Sequence, residues 1–145
     1  MQILFTRSNT ILSKTICAIT KEPVSHCALK VGPFVIHSNL LGVRIVPYNV
    51  FASSHEIVYN INKIELNESI KTVLKECYGK PYDIGALIYL GLRFLFPQLM
   101  PKQNLWQTTG MFLCTEFITK MIDMKEDSLI TPYKLYLKLT EKKVK

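Results

Sequence analysis

The sequence predicts an α+β domain, and three observations predict it. Short apolar runs broken by turn residues fill the first half of the chain, whereas the second half repeats its apolar residues at helical spacing. Strands and helices are therefore segregated along the chain instead of alternating. With 145 residues, 48% of them hydrophobic, the chain has the material for one core and no room for a second, so residues 1–145 are expected to form one domain.

In order, Gln2 to Thr6 reads as a short strand. Ser8 is the expected N-cap of a helix over Thr10 to Ile19, where Ile11, Leu12, Ile16 and Ile19 fall at helical spacing, and Pro23 ends that region. His26 to Val31, Phe34 to His37 and Val43 to Val46 are strands, separated by Gly32-Pro33 and by a turn over Asn39 to Gly42. Pro47 to Phe51 reads as a connection or one helical turn, and Glu56 to Ile61 as another strand. Asn67 is placed to cap a helix ending at Cys77, and Gly79 to Tyr82 is a turn. A strongly apolar helix covers Ile84 to Phe96, with Ile84, Leu87, Ile88, Leu92 and Leu95 expected to be largely covered by the core or by a partner subunit. Lys102 to Gly110 is loop-like and contains Trp106. Cys114 to Asp123 is a helix with Phe117, Ile118, Met121 and Ile122 on one side. Thr131-Pro132 gives an N-cap with proline at the first helical position, opening a helix to Leu139.

The net charge of +7 comes from 18 Lys and Arg against 11 Asp and Glu, and its one dense run is the tail from Lys138 to Lys145. Such a run is ordinarily a solvated helix end. No basic stripe with aromatic platforms and no reading helix accompanies it, so no nucleic-acid partner is expected. The charge favours an acidic partner, such as an anionic membrane surface or a wall polymer. The apolar stretch from Ile84 to Met100 is broken by Arg93 and Pro97 and falls short of a bilayer span. A buried helix is expected there, with peripheral membrane contact through residues 84–96 as the alternative. No basic segment leads into an apolar stretch with a small-residue cleavage site, so no signal peptide is read. A cytoplasmic or virion-associated protein with free thiols is expected. The cysteines, Cys17, Cys27, Cys77 and Cys114, form no CxxC pair, which gives a zinc site little support; neither metal nor cofactor is expected.

Chemistry centres on a few residues. Cys114 opens a helix, where unpaired N–H groups and the positive end of the helix dipole favour a thiolate and can stabilise an oxyanion. Only three histidines exist: His26, His37 and His55. His26 and His37 lie on strands that an antiparallel hairpin would set side by side, so His26 is a candidate base and His37 a candidate partner holding its tautomer. Side chains alternate along a strand, so Cys27 points away from His26 and reads as core. His55, in a Ser-Ser-His-Glu segment, reads as solvated. Taken alone, a buried cysteine is ordinarily an inert small hydrophobe, and a strand histidine is ordinarily structural.

The segments SHCALKVG, VIHSNLLGVRIVPYNVF, YGKPYDIGAL and FLCTEFITKMI stand in an order that resembles the permuted branch of the NlpC-type papain-like superfamily, with bacterial, phage and poxvirus members. That branch places histidine first and cysteine last. The resemblance spans roughly residues 4 to 123 and implies a circularly permuted papain-like fold, a small antiparallel sheet packed against helices. It implies Cys114 as nucleophile and His26 as base. His37 stands where the family often has glutamate, and unpermuted relatives often use histidine there. Lys80-Pro81-Tyr82 sits in a motif that resembles the Gly-x-Pro-Tyr of unpermuted relatives, which makes Tyr82 a candidate to contact substrate; the apolar insert before Cys114 departs from their compact spacing. The expected activity is a cysteine amidase or peptidase on a peptide or peptidoglycan substrate. The alternatives are an acyltransferase or thioesterase on an acyl lipid, since the lecithin-retinol type uses the same His, His, Cys order, and a non-catalytic virion or binding module.

Overall fold

A computed structural model describes residues 1–62, 70–101, 110–124 and 130–141. Five strands, β1 (Gln2–Arg7), β2 (His26–Val31), β3 (Phe34–Asn39), β4 (Gly42–Pro47) and β5 (Glu56–Asn62), form one sheet in the order β4-β3-β2-β1-β5, antiparallel throughout. The helices described are α1 (Ile11–Thr20), α2 (Tyr48–Ser54), α3 (Ile70–Cys77), α4 (Ile84–Leu95), α5 (Cys114–Met121) and α6 (Pro132–Glu141). The expected α+β class and antiparallel sheet are what the chain adopts. None of these helices is long and apolar enough to cross a membrane.

Side-chain alternation divides the sheet into two faces. Ile3, Phe5, Cys27, Leu29 and Ile36 point to one face and pack on Phe117, Ile118 and Met121 of α5 and Leu135 of α6. Leu4, Ala28 and Val35 point to the other and pack on Phe51 of α2. The first cluster is the larger, and it fixes α5 against β2 and β3.

Several local expectations need correction. The N-cap of α1 is Thr10, whose hydroxyl accepts from the Ser13 N–H at 3.2 Å. Ser8 lies two residues too early and instead donates its N–H to the Ser13 hydroxyl. The segment after Pro47 is a two-turn helix extending to Ser54, because Phe51 anchors it to the sheet. In α4 the covered face is Ala86, Tyr89 and Leu90, whereas Ile84, Ile88 and Leu95 are more than half exposed. The buried Asp83 caps this helix, its carboxylate accepting the Ala86 N–H at 2.8 Å. Thr131 caps α6 as expected, accepting the Lys134 N–H at 3.3 Å. The proposed cap at Asn67 and the loop tryptophan Trp106 lie outside the described residues.

One docking arrangement carries the second half onto the sheet. Gly42 opens β4 at φ 95°, a left-handed conformation that only glycine adopts without strain. A Cβ there would run into the Lys80 carbonyl oxygen. That carbonyl accepts the Val43 N–H at 3.0 Å, and the Gly79 N–H donates to the Val43 carbonyl at 3.0 Å. The turn leading to Tyr82 is thereby fastened to the sheet margin.

Gly42→Ala is expected to destabilise the protein by about 2–3 kcal/mol, combining backbone strain with displacement of the Lys80 turn. Urea unfolding checks this. A midpoint equal to wild type would mean that the turn does not depend on this close approach.

Candidate functional site

The same turn sets the path to Cys114. The Pro81 carbonyl accepts the Phe112 N–H at 3.2 Å, and the Ser38 hydroxyl on β3 donates to the Phe112 carbonyl at 2.8 Å. Two residues later, Cys114 is the first residue of α5, after the N-cap Leu113. The Glu116 carboxylate turns back to accept the Leu113 N–H at 2.9 Å, which pins the helix start.

His26 opens β2. Before it, Ser25 donates its N–H to the Thr6 carbonyl at 3.0 Å and shares a 2.6 Å hydroxyl–hydroxyl hydrogen bond with Ser13 of α1. The β2–β3 register runs from Val31↔Phe34 to Leu29↔Ile36. His26 and His37 both lie beyond its end on the same face, with His26 Nε2 3.2 Å from His37 Nδ1. The side chains of both Cys27 and His26 act on the Cys114 thiol. His26 and Cys27 still pair with Thr6 and Phe5 of β1, so it is the β3 side of β2 that is open at this point.

The electrostatics follow from these contacts. A hydrogen bond from the Cys27 thiol holds the Cys114 thiol well below its ordinary range; burial opposes the shift, and the hydrogen bond and charge of His26 and the Cys27 backbone N–H add to it. Cys27 moves the opposite way, raised by burial and by its bond to Cys114, and remains the proton donor of the pair. Tyr82 is raised well above its usual range by burial and by the nearby Cys114, Cys27, Glu116 and Asp83, so its phenol keeps its proton. Burial lifts the Glu116 carboxyl to about 7; the Leu113 N–H opposes this, and Asp83 and Cys114 reinforce it. His37 is pushed down to about 3 by burial first, then by the charges of His26, His55 and Arg44.

The four residues expected at a site, Cys114, His26, His37 and Tyr82, thus come together. Two others join them. Cys27 is core as expected, but its thiol is a hydrogen-bond partner of Cys114, which alternation along the strand concealed. His55, expected in solvent, stacks on Phe51 with ring centroids 4.1 Å apart and lies 5.6 Å from the His26 ring and 6.0 Å from the His37 ring. A cleft of about 360 Å³ opens beside His26, His55 and Tyr82, with apolar walls that include Leu12, Ile16, Leu40 and Leu41. All four cysteines are free. No known family model matches the chain, and no curated protein matches it.

Cys27→Ala is expected to raise the Cys114 thiol pKa by removing the donated hydrogen bond, whereas Cys27→Ser restores part of the depression. The pH midpoint of iodoacetamide labelling at Cys114 checks this: it moves upward in the alanine variant and partly back in the serine variant. An unmoved midpoint in both would remove Cys27 from the thiol's environment.

The low His37 value also has a consequence for stability. Between about 3 and the ordinary histidine value of about 6.5, the unfolded chain binds a proton that folded His37 does not. The contribution is fully present above about 6.5 and is lost as pH falls toward 3, with a slope of up to about 1.4 kcal/mol per pH unit. Glu116, with its raised value, has the opposite slope between about 4.5 and 7, so the test is a difference. Wild type should lose stability relative to His37→Asn as urea midpoints are followed from pH 7 to pH 4; parallel curves would contradict the burial of a neutral His37.

Proposed function

We propose that the protein is a cysteine-dependent hydrolase or acyl-transfer enzyme acting on an amide or ester carbonyl, built on a circularly permuted papain-like arrangement. One observation carries the reading: a thiol at the start of a helix, held toward its thiolate by Cys27 and His26, with His26 in turn hydrogen-bonded to His37.

In this reading the Cys114 sulfur adds to the substrate carbonyl carbon, and the carbonyl electron pair moves onto oxygen. The N–H groups of the first turn of α5 and the Tyr82 hydroxyl stabilise that oxyanion. The tetrahedral intermediate collapses as His26 gives its proton to the leaving amine or alkoxide, leaving a thioester on Cys114. A water or a second acceptor then gives a proton to His26, attacks the thioester and releases the acid or the transferred acyl product. His37, buried and neutral, holds the ring of His26 through the 3.2 Å contact.

An amide substrate, such as a cell-wall peptide, suits this chemistry. An acyl-lipid substrate has a specific observation in its favour: the cleft beside His26 and Tyr82 is walled by leucine and isoleucine side chains. A non-catalytic binding module is the reading that remains if no turnover is found.

Purified protein screened against peptidoglycan fragments, model peptides and lipid esters tests the proposal. Cys114→Ala is expected to abolish turnover with the fold intact by circular dichroism. His26→Ala should be nearly as damaging, and His37→Ala milder, by roughly 10- to 100-fold. The Cys114→Ala/His26→Ala double variant should be little worse than Cys114→Ala alone. Turnover that survives in Cys114→Ala would overturn the reading.

A further inference from the structure

His55 is the histidine with no task in the thiol chemistry, and its surroundings prepare it for one. Its Nδ1 lies 3.1 Å from the Phe51 carbonyl and 2.9 Å from the Ser54 hydroxyl. A carbonyl only accepts, so Nδ1 carries the hydrogen and Nε2 keeps its lone pair. The 4.1 Å stack on Phe51, with the two rings 5° from parallel, fixes the plane. Ligating histidines are ordinarily oriented in this way, with the second ring nitrogen bonded to a carbonyl.

One ring nitrogen from each of His26, His37 and His55 lies within 4.8 Å of the others. The His26–His37 separation of 3.2 Å already matches one edge of a tetrahedral zinc site. Zinc–nitrogen bonds of about 2.05 Å put neighbouring ligand nitrogens about 3.4 Å apart. Bringing His55 to the remaining edges takes a movement on the order of 1 Å on that same scale. The donors are three imidazoles with no carboxylate in the cluster, which suits zinc and disfavours calcium and magnesium. The cleft that His26 and His55 line supplies an entry path and room for a fourth ligand from solvent.

We propose that His26, His37 and His55 form a three-histidine zinc site, and that an ion bound there switches the thiol centre off. The binding half stands on the cluster alone; the switch rests on the reading of Cys114 and His26 as nucleophile and base. In the thiolate–imidazolium pair His26 carries a hydrogen on each ring nitrogen. Zinc takes the lone pair of one nitrogen, and that nitrogen's proton leaves to solvent. The other nitrogen keeps its N–H. The metallated ring has no lone pair left to accept a proton and no labile second proton for a leaving group.

Calorimetry of the full chain with zinc chloride, and visible absorption with cobalt(II) in its place, test the site without any substrate. Binding of one ion per chain is expected, with tetrahedral cobalt bands and no thiolate-to-cobalt charge-transfer band. His55→Ala and His55→Gln, the second guarding against misfolding of the first, should each weaken zinc at least 10- to 100-fold. Metal-free iodoacetamide labelling of Cys114 in each variant checks that the thiol centre is still folded. Zinc should stop turnover by wild type, reversibly with a chelator, and should not stop the turnover that either variant shows without the metal. The site is overturned if no ion binds, or if binding survives both His55 variants and is lost in Cys114→Ala. The switch is overturned if zinc binds through His55 and turnover by wild type is not slowed. A protein that binds zinc as described yet turns over no substrate keeps the site and sinks the hydrolase instead.

Discussion

The carbonyl oxygen of Lys80 occupies the space that any side chain on residue 42 would need, and the position of Cys114 follows from that approach. Through it the turn at residues 79–81 hydrogen-bonds to the margin of β4, and Pro81 receives the Phe112 N–H. Ser38 then holds the Phe112 carbonyl from β3. The chain reaches Leu113 already fixed to two strands, and α5 starts one residue later. The helix is short, eight residues, so propensity alone would not hold it. Its apolar side, Phe117, Ile118 and Met121, buries against Leu29 and Ile36 and supplies the rest.

Burial then does to the chemistry what it does to any set of crowded titratable groups: it opposes charge, and the groups with hydrogen-bond donors keep theirs. Cys114 has three such donors, two from Cys27 and one from His26, and moves down against its own desolvation. Cys27 and Tyr82 sit in the same low-dielectric region without that support and move up; Glu116 is the exception, since burial outweighs the Leu113 N–H that it accepts. Cys114 therefore moves one way and its titratable neighbours the other, which is how environment separates chemically similar groups.

Most of the architecture was visible in the sequence because its signals are local. Strand alternation, Gly32-Pro33, and Thr131-Pro132 each act within a few residues, and the elements they mark are present. The errors arose where tertiary packing chose among local options. Thr10 rather than Ser8 caps α1 because Ser13 reaches back to both. In α4 the covered face is Ala86, Tyr89 and Leu90, which apolar periodicity does not single out. At the site, the pairing of His26 with His37 was readable from a short hairpin. The influence of Cys27 on Cys114 was not, since alternation assigns Cys27 to the face away from His26. His55 was missed for a similar reason. Its polar sequence neighbours suggest solvent, and only the two-turn helix before it, anchored by Phe51, swings it onto the histidine face.

That last placement gives His26 two competing uses. Three imidazoles whose ring nitrogens fall within 4.8 Å repel one another once protonated, and this repulsion contributes to the low values of His37 and His55. A divalent ion accepts all three lone pairs at once and removes the repulsion. Proton and metal thus compete for the same nitrogen of His26, so the acid–base state and the metallated state exclude each other without any movement of the backbone. Cys114 need not be a ligand for that exclusion to operate; it is enough that its partner's lone pair is taken.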